Sequence, residues 1–196
     1  MASITIRNLD EDIKQRLRNH LPPPKADSGV PFLVIGDVRT QRINFSESRF
    51  VPLEYFLSLD PIRRPKRGDL LYKLVGSYGI PVVVRENREF CVQRHIAILR
   101  PSSFVDVEYL GYAMGTDYVF QQASSCATGI AQKTVPLFGL RKILMPVPPL
   151  AEQQRIVAKV DELMALCDQL EARLGHAATT RRRLLDALLS EALAPA

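Results

Sequence analysis

From Leu150 onward apolar residues recur every three or four positions. Ile156, Val160, Leu163, Cys167, Leu170 and Leu174 are spaced by 4, 3, 4, 3 and 4 residues, and Ala177, Leu184 and Leu188 continue the series. This is a heptad seam, and it predicts one long helix over residues 150–192. At 1.5 Å per residue such a helix is about 60 Å long, more than the diameter of a small domain. Its stripe therefore calls for a partner helix, although packing on the chain's own upstream domain would also cover part of it. Gly175 and the Ala-Thr residues after it weaken helix propensity locally, so a bend or interruption is expected there. Arg181 falls on a seam position, where it must snorkel or meet a carboxylate.

Upstream the period changes. PFLVIGDV, RINF, RFVPL, DLLYKLV, IPVVVR, FCVQRHIAILR and KILMPV are short β-type runs punctuated by Gly, Pro, Asp and Asn, which predicts a β-rich domain over 26–149. Within it only Asp106 to about Gln122 has a helical pattern. Before it, Ser3 to Arg7 alternates as a strand does, and Asp10 offers an N-cap to a helix from Glu11 to about Leu21 that Pro22-Pro23-Pro24 ends. The expected fold class is α+β: a strand-helix segment (1–25), a β-rich domain (26–149) and a long C-terminal coiled-coil helix arm (150–192). At the last junction PVPPLAEQQRIVAKVDEL places Pro146, Pro148 and Pro149 directly before the periodic run. A strand must stop there, and the helix then starts with Glu152 in its first turn, where a carboxylate suits the dipole.

Composition narrows the function classes. No apolar run approaches the roughly 20 residues that cross a bilayer. The N-terminus lacks the basic and apolar regions of a signal peptide, so a cytoplasmic protein with no membrane partner is expected. Cys91, Cys126 and Cys167 share no metal-type spacing and read as small apolar side chains, mostly buried. Net charge is +5; residues 26–150 hold fifteen Lys/Arg against eleven Asp/Glu, and residues 151–196 hold six against seven. The positive excess thus sits in the body, which is compatible with a polyanionic partner and also common in proteins that bind none.

A search for catalysis finds no constellation. His20, His95 and His176 stand far apart, with no companion at metal-ligand or triad spacing, and Gly76-Ser77-Tyr78-Gly79 is too short for a nucleotide-phosphate loop. No catalytic residue, bound cofactor or metal site is expected, and a binding or scaffold role is favoured. Residues suited to DNA contact lie at turns of the β-rich block. These are Lys73 with Ser77 and Tyr78; Gln93, Arg94 and His95; and Thr128 with Gln132 and Lys133. Their cations and amides suit phosphates and base edges. The competing reading makes Tyr78 and His95 packing residues and Gln132-Lys133 a solvated turn.

The ordered series RGDLLYKLVGSYGIPVVV, CVQRHIAILRPSSFVDVEYLGYAM and ATGIAQKTVPLFGLRKILMPVPPLAEQQRIVAKVDELMALCDQL resembles the specificity subunits of type I restriction-modification systems over about Val30 to Leu189. The most specific part is Pro148-Pro149-Leu150, Glu152-Gln153 and Ile156-Val157. The resemblance implies that 26–149 is a target recognition domain reading one half of a split DNA sequence, followed by a spacer helix. It implies a noncatalytic chain whose partners are double-stranded DNA, methyltransferase subunits that use S-adenosylmethionine, and an ATP- and Mg-dependent restriction subunit. The family's usual plan has two recognition domains and two helical arms, whereas this sequence has one of each. The expectation is a half-subunit that homodimerises through antiparallel arms, with Ile156, Val160, Leu163, Cys167, Leu170 and Leu174 at the contact, and recognises a palindromic bipartite site.

MASITIRNLDEDIKQRLR resembles the start of ribbon-helix-helix antitoxins, with Ser3, Thr5 and Arg7 on the outward strand face and Ile4, Ile6 and Leu9 packing. The second helix of that fold is replaced by Pro22-Pro23-Pro24. The recognition domain's usual opening strand has no counterpart, which suggests that a truncated or rearranged gene supplied the new start. A ribbon-helix-helix repressor or antitoxin, and a degenerate remnant that no longer reads DNA, are the alternatives to the specificity subunit.

Overall fold

The computed structural model describes residues 2–3, 24–39 and 42–192, with side chains for 24–39 and 42–186. The expected helix over 11–21 and the outward placement of Thr5 and Arg7 lie outside the described residues, as does the side chain of Leu188. The chain forms two units, residues 1–154 and 155–196.

In the first unit the β-type runs become short strands. β1 (Ala2–Ser3) pairs antiparallel with β10 (Pro146–Val147). β2 (Val30–Leu33) lies between β5 (Arg49–Val51), antiparallel, and β8 (Cys91–Val92), parallel. β3 (Val38–Arg39) and β4 (Arg42–Ile43) form a hairpin. β6 (Leu70–Lys73) is the centre of an antiparallel sheet ordered β7-β6-β9, with β7 at Pro81–Val83 and β9 at Ile96–Leu99.

The sequence LLYK of β6 is apolar nearly throughout because both of its faces are covered, and successive side chains point to opposite faces. Leu70 and Tyr72 enter a core shared with Leu110, Met114 and Val119. Leu71 enters a second core with Leu33, Val38 and Phe90. Val30, Phe32 and Cys91 then meet Phe56 in a third. The order is therefore helices, sheet, sheet, helix.

The helical segment after Asp106 is two helices, α2 (Val107–Met114) and α3 (Asp117–Cys126), with α1 (Leu53–Ser58) and α4 (Leu137–Leu140) elsewhere in the unit. The break has a local cause. Asp106 caps α2 by accepting from the N–H groups of Glu108 and Tyr109, and Thr116 restarts the helix by accepting from Val119 N–H. Gly111 lets α2 approach the sheet, since a Cβ there would stand 3.2 Å from Val83. Cys91 is buried as expected, but Cys126 is half-buried and Cys167 exposed, so the cysteines are not a buried set.

The long helix α5 runs over Leu150–Ala192. Its first turn belongs to the first unit, and the second unit is the remainder. Gly175 does not interrupt it: the position faces open space, and the Thr179 hydroxyl donates to the Gly175 carbonyl one turn back. Ile156 and Val160 are half-buried, whereas Cys167, Arg181 and Leu184 are exposed and Leu163, Leu170 and Leu174 are 50%, 56% and 70% exposed.

Candidate nucleic-acid interface

The three groups of candidate residues converge, and backbone hydrogen bonds do it. Leu74, just beyond β6, donates its N–H to the His95 carbonyl at 2.9 Å and accepts from Val135 N–H at 2.8 Å. Gly76 N–H donates to the Lys133 carbonyl at 3.2 Å. The β6–β7 loop, the turn between β8 and β9, and the loop between α3 and α4 thus meet at one end of the central sheet. The third loop closes on itself, because Thr128 and Thr134 exchange both backbone hydrogen bonds, at 2.9 and 2.8 Å.

Within this cluster the side chains divide. Ser77, Arg94, Thr128, Gln132 and Lys133 are exposed, Gln93, His95 and Tyr78 are half-buried, and Lys73 is buried at 6% exposure. Lys73 departs from the expectation of a phosphate-contacting cation. It alternates onto the same face as Leu71, and its ammonium donates to the Val38 carbonyl at 3.3 Å. Burial lowers its pKa from the usual 10.5. Tyr78 is likewise occupied: it stacks on Phe120 with ring centroids 5.3 Å apart, and its hydroxyl bonds Ser124 Oγ at 3.0 Å. Beneath the same loop the Tyr72 hydroxyl is fully buried without a hydrogen-bond partner, and burial, with a smaller contribution from Tyr78, pushes its pKa up to about 12.

Gln93 is fixed through its backbone, its N–H donating to Leu33 and its carbonyl accepting from Ile96. Arg94 Nε donates to His95 Nε2 at 3.3 Å, a bond that needs the neutral imidazole. Partial burial, and secondarily the charge of Arg94, lower the His95 pKa below 6.5. The cluster therefore offers one imidazole held neutral and hydroxyl, amide, guanidinium and ammonium groups at the surface, on a backbone frame tied to the sheet. Such groups can contact phosphates and base edges. Among the described residues no group of three or more His, Cys, Asp or Glu could hold a metal ion, and no helix is long and apolar enough to cross a membrane.

A second basic region escaped the sequence reading, though Arg63, Arg64, Lys66 and Arg67 put four cations into five positions. It lies before β6, at the strand end opposite the loop cluster. Arg64 is consumed by the fold, donating to the carbonyls of Leu57 and Leu59 and covering the Phe56 ring at 5.1 Å. Lys66 and Arg67 remain exposed.

The junction to α5 is built by Gln153, fully buried and also overlooked as a functional side chain. Its amide oxygen accepts from Asp106 N–H at 2.8 Å, while its NH₂ donates to the carbonyls of Phe104 at 2.9 Å and Pro148 at 2.8 Å. The Tyr109 hydroxyl donates to the Pro146 carbonyl at 2.8 Å, and Pro149 supplies the carbonyl that receives the first helical N–H groups, from Glu152 and Gln153.

No protein-family model matches the chain. Among curated proteins it is similar to the specificity subunit of the type I restriction enzyme EcoBI from Escherichia coli, 23% identical over 172 residues, which cover 87% of this chain and 36% of the relative. It is also similar to the EcoAI specificity subunit of Escherichia coli, 36% identical over 97 residues, 48% of this chain and 16% of the relative. The chain thus spans well under half the length of either relative. Its fold matches the HsdS subunit from Thermoanaerobacter tengcongensis with a TM-score of 0.67 at 20% identity, over 87% of this chain and 46% of that one. It also matches a chain from a structural study of the complex assembly and conformational transition of the type I R-M system, with a TM-score of 0.65 at 22% identity, over 88% and 41%.

Proposed function

We propose that this chain, a homologue of the specificity subunits of type I restriction enzymes, acts as a DNA-specificity subunit whose recognition unit reads one half of a bipartite site. The observation that carries the reading is homology across most of the chain, at 87% coverage. The convergence of Ser77, Arg94, Thr128, Gln132 and Lys133 on three mutually hydrogen-bonded loops supports it, since such a frame holds polar side chains in fixed register for a groove. The ribbon-helix-helix alternative is not favoured, because its motif occupies only the first residues of a chain homologous to specificity subunits over most of its length.

The chain itself supplies recognition and no chemistry. Adenine methylation from S-adenosylmethionine, and ATP- and Mg-dependent restriction, belong to partner subunits in this reading. Two copies pair through α5, each covering the other's exposed Leu163, Leu170 and Leu174 and so setting the distance between two half-sites.

The test is coexpression with adenine methyltransferase subunits, followed by co-purification and sequencing of methylated adenines in the host genome. Co-purification and a bipartite, palindromic methylation motif are expected. A chain that recruits no methyltransferase and directs no methylation refutes the proposal.

A further inference from the structure

Among the described residues of the first unit the most exposed large apolar side chain is Ile130, at 106%. Single exposed apolar residues are ordinary on protein surfaces. This one differs in its setting. It stands at the tip of the loop closed by the Thr128–Thr134 pair and bonded to β6's extension through Gly76–Lys133 and Leu74–Val135, so the tip is braced by the sheet. The turn itself requires glycine: Gly129 has φ +103°, and a Cβ there would collide with the Gln132 carbonyl oxygen. On either side of Ile130 stand Gly129 and Ala131, which add almost no width, and beyond them the exposed Thr128, Gln132 and Lys133. A narrow, two-stranded loop of this kind fits the major groove, and its single projecting apolar group has one apolar target on the base edges there, the 5-methyl of thymine.

We propose that Ile130 is a specificity-determining residue that reads a thymine through its 5-methyl group, an inference that rests on the DNA-specificity reading above. Gln132 and Lys133 flank it with an amide suited to a base edge and a cation suited to a phosphate, so the apolar contact sits inside a polar one.

The experiment uses the full chain with its methyltransferase partner and randomised duplex DNA, from which the preferred motif is selected. Each thymine of that motif is then replaced by uracil, which removes the methyl group alone. The wild-type complex is expected to lose about fourfold in affinity at one thymine per half-site, the equivalent of one buried methyl group. Ile130→Ala should bind more weakly by a similar factor and be indifferent to uracil at that position, with an unchanged denaturation midpoint because the side chain is open to solvent. Lys133→Ala should weaken binding while keeping the uracil effect. The inference is overturned if Ile130→Ala retains the wild-type uracil sensitivity, if no thymine methyl matters, or if the variant changes DNA bending without changing thymine dependence, as a wedge between base steps would. If the wild-type complex enriches no sequence, the specificity reading falls and takes this inference with it.

Discussion

The side-chain oxygen of Gln153, in the first turn of α5, accepts the backbone N–H of Asp106, the residue that caps α2, at 2.8 Å. With its two donated bonds, to Phe104 and Pro148, one fully buried amide ties two sequence-distant segments of the first unit together.

Gln153→Leu keeps the volume and removes all three bonds, leaving one buried donor and two carbonyls without their partner. A destabilisation of about 2–3 kcal/mol is expected, read from the urea midpoint, with faster hydrogen exchange at Asp106 N–H. An unchanged midpoint would mean that the amide network is dispensable.

The side chains that matter at this junction show what the sequence disclosed and what it hid. The proline cluster and the onset of α5 are legible because both signals are local. The role of Gln153 is not, because two of its three partners lie 47 and 49 residues away. β6 was legible as a continuous apolar run, whereas the burial of Lys73 depends on a carbonyl 35 residues distant. The division of α2 from α3 had a signal in Gly115-Thr116 that the surrounding helical pattern masked.

Lys73 and Lys133 should therefore behave differently. Lys133→Ala lowers the slope of log affinity against log salt by about 1 if the ammonium meets a phosphate. Lys73→Ala leaves the slope unchanged and instead costs about 1–3 kcal/mol of stability, because the Val38 carbonyl loses its buried donor. Salt titrations of DNA binding and denaturation curves separate the two effects.

His95 makes stability depend on pH. Its folded-state pKa lies below the ordinary 6.5, so as pH falls the unfolded chain takes up the proton first and the folded state is disfavoured. The contribution is fully present above pH 6.5 and is lost as pH falls from there through the folded pKa. His95→Gln should reduce the drop in denaturation midpoint over that interval. An equal drop in variant and wild type would remove His95 from the effect.

Asp69 is 1% exposed and accepts from Arg100 Nε and Nη2, both at 2.9 Å, and from Lys66 N–H at 3.0 Å. Arg100→Ala should cost about 3 kcal/mol by leaving that buried carboxylate without its cation. Lys159→Ala, which breaks an exposed i,i+3 pair with Glu162, should change stability by less than about 0.5 kcal/mol. Parallel urea denaturations compare them.

Leu170→Asp places a charge on the exposed stripe of α5. Under the proposed pairing of two copies, it should shift the protein toward monomer in sedimentation equilibrium while leaving the first unit's denaturation intact. A dimer that survives would remove α5 from the contact.

Prolines at Pro146 and Pro148 also bear on how safely this protein can be crowded. Within an extended segment the N–H and C=O of one residue share an edge, and residues two apart share the same one. Along that edge both donors are missing, and both carbonyls are taken, by Tyr109 and by Gln153. No stranger's strand can be templated there. The segment that leads into α5 is thus chemically mute along that edge toward other chains.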